Sequence, residues 1–167
     1  MNNAIAVESP IGVLLIESNG EFITQITLPG KGDAETVKAA ESQRSKTGGS
    51  EPDSVLARAE TQLEEYFAGI RTEFDLPLEF EGTEFQRDVW LTLAEIPYGK
   101  TISYAELASM VGRPSAFRAV GQANGANPIP IVLPCHRVIA SGGGIGGYGG
   151  GLDMKRQLLA LEGVDRI

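Results

Sequence analysis

Ile129-Pro130-Ile131-Val132-Leu133-Pro134-Cys135-His136-Arg137-Val138 sets the only cysteine and the only histidine of a 167-residue chain side by side. Cysteine is the best side-chain nucleophile, and histidine is the usual acceptor of its proton. The five residues before Pro134 predict a short buried strand. Pro134 then stops the ladder and biases Leu133 toward an extended conformation. Side chains alternate along a strand, so Cys135 and His136 can cooperate only if the chain turns at Cys135. The pair also has a plainer reading, a small buried hydrophobe beside a surface histidine. The surrounding chain decides between them.

Apolar residues make up 42% of the chain and charged residues 22%, the balance of an ordinary soluble globular protein. A lone cysteine excludes an internal disulfide framework and suits a reducing compartment. One cysteine and one histidine are too few for a structural zinc site, so neither a metal nor a cofactor is expected. Met1-Asn2-Asn3-Ala4 lacks the basic-then-apolar pattern of a leader, and no apolar run approaches membrane-spanning length. A cytoplasmic protein with no membrane partner is expected. The net charge of −8 argues against nucleic acid when taken alone. It is unevenly distributed: residues 1–82 carry 6 Lys+Arg against 15 Asp+Glu, net −9, whereas residues 83–167 carry 8 against 7, net +1. Only the second half has room for a DNA site, and it would work without a strong positive field.

The first half, residues 1–82, reads as an α+β support domain. Strands are predicted at Ala4–Val7, Gly12–Ser18 and Phe22–Leu28, separated by the turn signals Ser9-Pro10 and Asn19-Gly20. Residues 30–53 are polar, and Glu41–Pro52 reads as a mobile loop. Asp53 or Ser54 caps a helix running to about Ala68, with Leu56, Ala59, Leu63, Tyr66 and Phe67 at helical spacing and Gly69 ending it. Phe74, Leu76, Leu78 and Phe80 alternate as one face of a strand that Pro77 restricts to an edge.

The second domain, residues 83–167, holds the chemistry-bearing types. Thr83 and Gln86 have capping-box spacing ahead of a helix with Phe85, Val89 and Leu93 on one stripe, broken at Ile96-Pro97-Tyr98-Gly99. Helical segments at Tyr104–Val111 and Ser115–Asn124, joined by Gly112-Arg113-Pro114, fit either a helix-turn-helix or an ordinary αα-hairpin. In the second segment Ser115, Ala116, Ala119, Gly121 and Ala123 are small and Arg118 is the one long cation. That suits close approach to another surface, or close helix–helix packing with a solvated arginine. The glycine-rich run Ser141–Gly151 reads as a flexible pocket wall, since no Gly-Lys-Ser/Thr follows it and no dinucleotide fingerprint fits. The last helix, Asp153–Glu162, places Leu158, Leu159 and Leu161 in the core. Glu162 at its end is either a surface charge or the carboxylate that orients His136.

Phe85-Gln86, Val89-Trp90, Ile96-Pro97-Tyr98-Gly99, Ser103-Tyr104, Arg118-Ala119-Val120-Gly121, Asn127-Pro128, Pro134–Val138, Tyr148–Leu152 and Leu161-Glu162-Gly163 occur in this order over residues 83–163. In these stretches the chain closely resembles the O6-alkylguanine-DNA alkyltransferases. The resemblance implies a DNA repair protein that moves the alkyl group of O6-alkylguanine in double-stranded DNA irreversibly onto Cys135, once per molecule and as a monomer. It implies that His136 deprotonates the thiol through a water, that Glu162 holds the histidine and that Asn127 braces the turn. Tyr104 then serves the departing guanine, and the backbone at Cys135 and Val138 reads the base edge, with Tyr148 and Gly149 as pocket wall. Arg118 fills the gap left by a flipped nucleotide. Ser115, Ala116, Phe117, Ala119, Gly121 and Gln122 around it meet the minor groove.

The residue chemistry agrees. A soft alkyl carbon suits a thiolate, and O6 is inaccessible inside a duplex, so the base must be extruded. The chain departs from its relatives in three respects: Phe117 stands where a small residue is common, Gly149 where serine is common, and the N-terminal zinc ligands of some relatives are absent. Two other readings compete. A non-catalytic sensor of alkylated DNA lacks the reactive cysteine, which is present here. A cysteine hydrolase built on Cys135, His136 and Glu162 normally draws its histidine from a distant segment.

Overall fold

A computed structural model describes residues 3–30, 54–148 and 151–164. The loop expected at Glu41–Pro52 and the pocket residue Gly149 lie outside the described residues. The chain forms two compact units, residues 1–80 and 81–167. Among the described residues no helix is long and apolar enough to cross a membrane.

The first unit is a three-stranded antiparallel meander, β1 (Asn3–Ser9), β2 (Gly12–Ser18) and β3 (Ile23–Thr27), covered by helix α1 (Val55–Phe67). Cross-strand pairs Ile5–Ile16 and Val7–Leu14 fall on one face, and Ala6–Leu15 packs with Ala4 and Val13 on the other. Ser9 and Asn19 build the two turns with their own side chains: Ser9 Oγ donates to the Gly12 carbonyl at 2.6 Å, and Asn19 Oδ1 accepts from the Phe22 amide at 2.9 Å. Ser54 caps α1 by accepting from the Ala57 amide at 3.0 Å, and Leu56, Ala59, Leu63 and Tyr66 fill its buried stripe.

The edge strand expected at Phe74–Phe80 does not form. The segment makes one bridge to β3, in which the Ile23 amide donates to the Pro77 carbonyl at 2.8 Å and the Glu79 amide to the Ile23 carbonyl at 3.0 Å. Pro77 has no amide to donate, so the ladder ends after this exchange. Gln62 of α1 takes over the neighbouring backbone. Its side chain donates to the Asp75 carbonyl at 2.9 Å and accepts from the Asp75 amide at 2.8 Å.

The second unit is mostly helical. Helix α2 (Glu84–Leu93) opens with the expected capping box of Thr83 and Gln86. Helix α3 (Tyr104–Met110) carries a second box, Ser103 with Glu106, and a tight turn at Gly112 leads into α4 (Phe117–Gly125). Ser115 and Ala116 were expected inside that last helix but lie in the turn before it. No side chain caps its start. Strands β4 (Ile102–Ser103) and β5 (Val138–Ile139) pair in parallel, and α5 (Leu152–Leu161) closes the unit. Leu158 and Leu159 are buried as expected, but Leu161 is only partly so. The mixed class, a small antiparallel sheet with a helix followed by a mostly helical domain, is the one expected.

Trp90 ties α2 to α4 by donating from Nε1 to the Ala123 carbonyl at 2.8 Å. A Cβ at Gly82 would sit 2.6 Å from the Trp90 ring, which this hydrogen bond prevents from sliding away. We expect Gly82→Ala to destabilise the second unit, because an overpacking cost of about 1–3 kcal/mol outweighs the gain of about 0.4–1 kcal/mol from stiffening the unfolded chain. Urea unfolding followed by fluorescence of the single tryptophan reads this directly.

Candidate active site

The segment leading to Cys135 is buried, as expected, but it is not a strand. Ile129, Ile131 and Leu133 are at most 2% exposed, and the Leu133 amide returns to the Ile129 carbonyl at 2.9 Å. Ile131 sits at φ +75°, a region that a β-branched side chain enters only under constraint. Pro130 and Pro134 deprive the segment of the amides that a ladder needs. Asn127 supplies the missing pairing, accepting from the Ile129 amide at 2.9 Å and donating from Nδ2 to the Leu133 carbonyl at 2.7 Å. The chain then enters a single 3-10 turn, Cys135–Arg137. This is the turn at Cys135 that cooperation with His136 requires.

Within that turn His136 is fully buried, and its Nε2 lies 2.6 Å from Glu162 Oε2. Beside a carboxylate, Nε2 carries the hydrogen and Nδ1 the lone pair. Nδ1 is buried with no partner of its own. Arg137 closes on the same carboxylate, with Nε 2.7 Å from Oε1 and Nη2 3.0 Å from Oε2, while Nη1 donates to the Ile96 carbonyl at 2.6 Å. The Gly99 amide adds a longer contact to Oε1 at 3.4 Å. Burial holds the His136 pKa below its usual value, against the opposing pull of Glu162.

Cys135 is 5% exposed, and burial pushes its thiol up to about 11, with Asn127 and the Lys155 charge pulling the other way. Lys155 is fully buried, donating from Nζ to the Val138 carbonyl at 2.6 Å and to the Gly147 carbonyl at 2.9 Å. Its own pKa is lowered to about 8 by that burial, with the Cys135 charge opposing the shift. Tyr104 donates to the same Gly147 carbonyl at 3.4 Å, and its ring lies 5.9 Å from Lys155 Nζ. A Cβ on Gly146, at φ +73°, would stand 3.0 Å from that ring, so glycine lets the loop close over it. Burial raises the hydroxyl pKa of Tyr104 and, well above its usual value, that of Tyr148, with the Cys135 charge adding in both. The Val138 amide closes the turn onto the Cys135 carbonyl, which also accepts from Asn124 Nδ2 at 3.3 Å.

The expected residues separate into two groups. Cys135, His136, Glu162, Asn127, Tyr104, Val138 and Tyr148 gather around the turn. Ser115, Phe117, Arg118, Ala119 and Gln122 lie exposed at and beside the start of α4, with Ala116 and Gly121 partly covered. Among the described residues no group of three His, Cys, Asp or Glu side chains could hold a metal. Arg137, Lys155 and Asn124 were not singled out as site residues from the sequence. Lys155 did leave a signal, because Lys155, Leu158, Leu159 and Glu162 share the i, i+3, i+4, i+7 stripe of α5.

Two family models together match nearly the whole chain. The 6-O-methylguanine DNA methyltransferase ribonuclease-like domain covers residues 5–80, and the DNA binding domain of the same family covers residues 84–164. The chain belongs to the 6-O-methylguanine DNA methyltransferase family. Within it, the chain is 49% identical to a methylated-DNA–protein-cysteine methyltransferase of Mycolicibacterium paratuberculosis, over 93% of this chain and 89% of that one. It is 42% identical to the constitutive enzyme of that name from Bacillus subtilis, over 98% and 97% of the two chains. The crystal structure of Mycobacterium tuberculosis OGT in complex with DNA superposes with a TM-score of 0.81 at 43% identity, covering 95% of this chain and 91% of that one.

The shared carboxylate gives this family member a measurable signature. As the only histidine, His136 provides a single imidazole resonance, which we expect to titrate below its usual value of 6.5. A depressed histidine pKa means that the unfolded chain takes up the proton first. Its contribution to stability is therefore complete above about pH 6.5 and is lost as pH falls through the folded value. Glu162→Gln should lower the titration further, since Glu162 is what raises it. By leaving Arg137 buried without its counter-charge, it should also destabilise the fold by about 3–5 kcal/mol in denaturant unfolding.

Proposed function

We propose that this protein repairs alkylated DNA by moving the alkyl group from O6 of guanine in a duplex onto Sγ of Cys135, acting once per molecule, as a monomer and without a cofactor. The observation that carries the reading is the 2.6 Å contact between His136 Nε2 and Glu162 Oε2, one residue beyond a buried cysteine. It leaves Nδ1 as the lone-pair nitrogen, and the depressed histidine pKa keeps that nitrogen unprotonated at neutral pH.

A thiol held near 11 is a thiolate only about once in 10⁴ molecules at pH 7, so a base is needed. His136 Nδ1 takes the proton through a water, while Lys155 and the Asn127 side chain favour the resulting anion. As the S–C bond forms and the C–O6 bond breaks, the bonding pair passes to the guanine. The Tyr104 hydroxyl, still protonated because burial raises its pKa, meets the developing charge with a hydrogen bond or its proton. The products are unmodified guanine and a thioether, which nothing in the chain could reduce or hydrolyse.

Reaching O6 requires the nucleotide to leave the stack. The exposed side of α4 suits this step. Among the described residues, a Cβ at Gly121 would meet only the Tyr104 ring, at 3.9 Å, an ordinary contact that does not require the small residue there. Close approach to a minor groove gives it a reason, and Arg118 projects from the same helix to occupy the vacated position. The division of labour follows: residues 83–167 bind DNA and carry the chemistry, and residues 1–82 support them.

Mixed with a duplex containing one O6-methylguanine, the protein should gain the mass of one methyl group at Cys135. It should stop after one equivalent, with chelator making no difference. Repeated turnover, or repair by Cys135→Ala, would contradict the reading. Arg118→Ala should be severely slowed on the duplex at saturating DNA, where binding defects vanish, yet react nearly normally with free O6-benzylguanine if the unaltered protein accepts that base. Equal loss on both would assign Arg118 to the pocket instead.

A further inference from the structure

Phe117 is the large apolar side chain on the exposed part of α4, and half of it is open to solvent. It makes no ring contact among the described residues. Helical geometry fixes its place. Phe117, Gly121 and Asn124 follow the i, i+4, i+7 spacing and share one flank of α4, whereas Arg118 and Gln122 lie about 100° further round, away from the buried residues Val120 and Ala123. The Phe117 flank faces the reaction centre: Asn124 bonds to the Cys135 carbonyl, and the Tyr104 ring lies behind Gly121. Around the helix axis, Phe117 therefore lies between Arg118 and the flank whose Asn124 reaches the Cys135 carbonyl.

We infer that Phe117 is a second insertion residue, an apolar wedge that enters the minor groove beside Arg118 and holds the duplex open on the pocket side. The inference rests on the alkyl-transfer reading and adds a role that reading does not require. Extrusion leaves two flanking base faces without a neighbour, and the duplex tends to close by restacking. Arg118 offers that gap a flat cation with hydrogen-bond donors. Phe117 offers what a cation lacks, an apolar ring to cover the exposed base face, as wedge side chains of minor-groove proteins do when they part a base step. The ring also loses its own contact with water, which favours the inserted state. Gly121, one turn further along the same flank, has no side chain to flank the ring.

The test uses two duplexes with the same O6-methylguanine, each carrying 2-aminopurine as its neighbour. One is fully paired; in the other the flanking pairs are mismatched, which makes extrusion easy. At saturating DNA, Phe117→Ala should transfer the methyl group about tenfold more slowly on the paired duplex. It should come within about twofold of the unaltered protein on the mismatched one, where a wedge has little to do. The rise in 2-aminopurine fluorescence on binding should fall in parallel, and Phe117→Leu, a smaller wedge, should lie between. Unchanged rates and fluorescence in Phe117→Ala would overturn the proposal. So would equal slowing on both duplexes, which would place Phe117 in the pocket or the fold. Failure of the underlying reading looks different, because the unaltered protein would then gain no methyl group on either duplex. The fluorescence arm would still decide whether Phe117 parts the stack.

Discussion

Glu162 is a buried carboxylate to which the side chains of Arg137 and His136 both bind. Its burial is tolerable only because Arg137 meets it with two hydrogen bonds, at 2.7 and 3.0 Å, while His136 takes a third at 2.6 Å. Burial is the largest influence on the imidazole and holds its pKa down, with the Arg137 and Lys155 charges adding to it against the pull of Glu162, so the histidine stays neutral. The carboxylate thus orients the ring without charging it. The same contact anchors the end of α5 to the turn that carries the thiol.

That turn is held in a shape the chain would not choose. A β-branched residue in the left-handed region and two prolines within five residues give a segment that cannot satisfy itself through a ladder. One side chain, Asn127, bridges both ends of it. The buried apolar residues Ile129, Ile131 and Leu133 supply the packing that over-determines the strain. The outcome is a fixed Cys135 whose own amide donates to the Leu133 carbonyl at 2.8 Å and whose carbonyl accepts from the Val138 amide and Asn124 Nδ2.

Much of this was legible in the sequence. The capping boxes, the α1 stripe and the adjacency of Cys135 and His136 are local signals, and local signals translate directly into structure. The losses came where a proline or a single side chain, not the apolar pattern, decides the backbone pairing. Phe74–Phe80 alternates like a strand, but Pro77 lets only one exchange with Ile23 form. Ile129–Leu133 is as apolar as a strand, yet Asn127 closes it into a turn. An isolated arginine or lysine is usually solvated, and nothing local in the sequence says what would hold Arg137 or Lys155. Only the three-dimensional site shows that each is held by buried acceptors. Lys155 is the more instructive case, since its position on the Leu158–Leu159–Glu162 stripe placed it inside the core all along.

The charge distribution constrains how such a site can engage DNA. Counterion release scales with the number of phosphates a protein neutralises, and a half-chain of net charge +1 neutralises few. Attraction at long range is therefore weak, and little of the binding energy can come from the backbone of an undamaged duplex. On the proposed reading, what remains is energy available only at contact: a close-fitting small-residue helix, an inserted Arg118 and the exposed Phe117 ring. Those terms are realised fully only where the stack opens. Opening is easiest where a base is already poorly paired, so a protein that depends on insertion is biased toward damage even though it reads no base sequence. On the proposed reading, the acidic overall charge and the exposed Phe117 are two sides of one design, in which attraction to DNA in general is weak and engagement tightens where a nucleotide can leave.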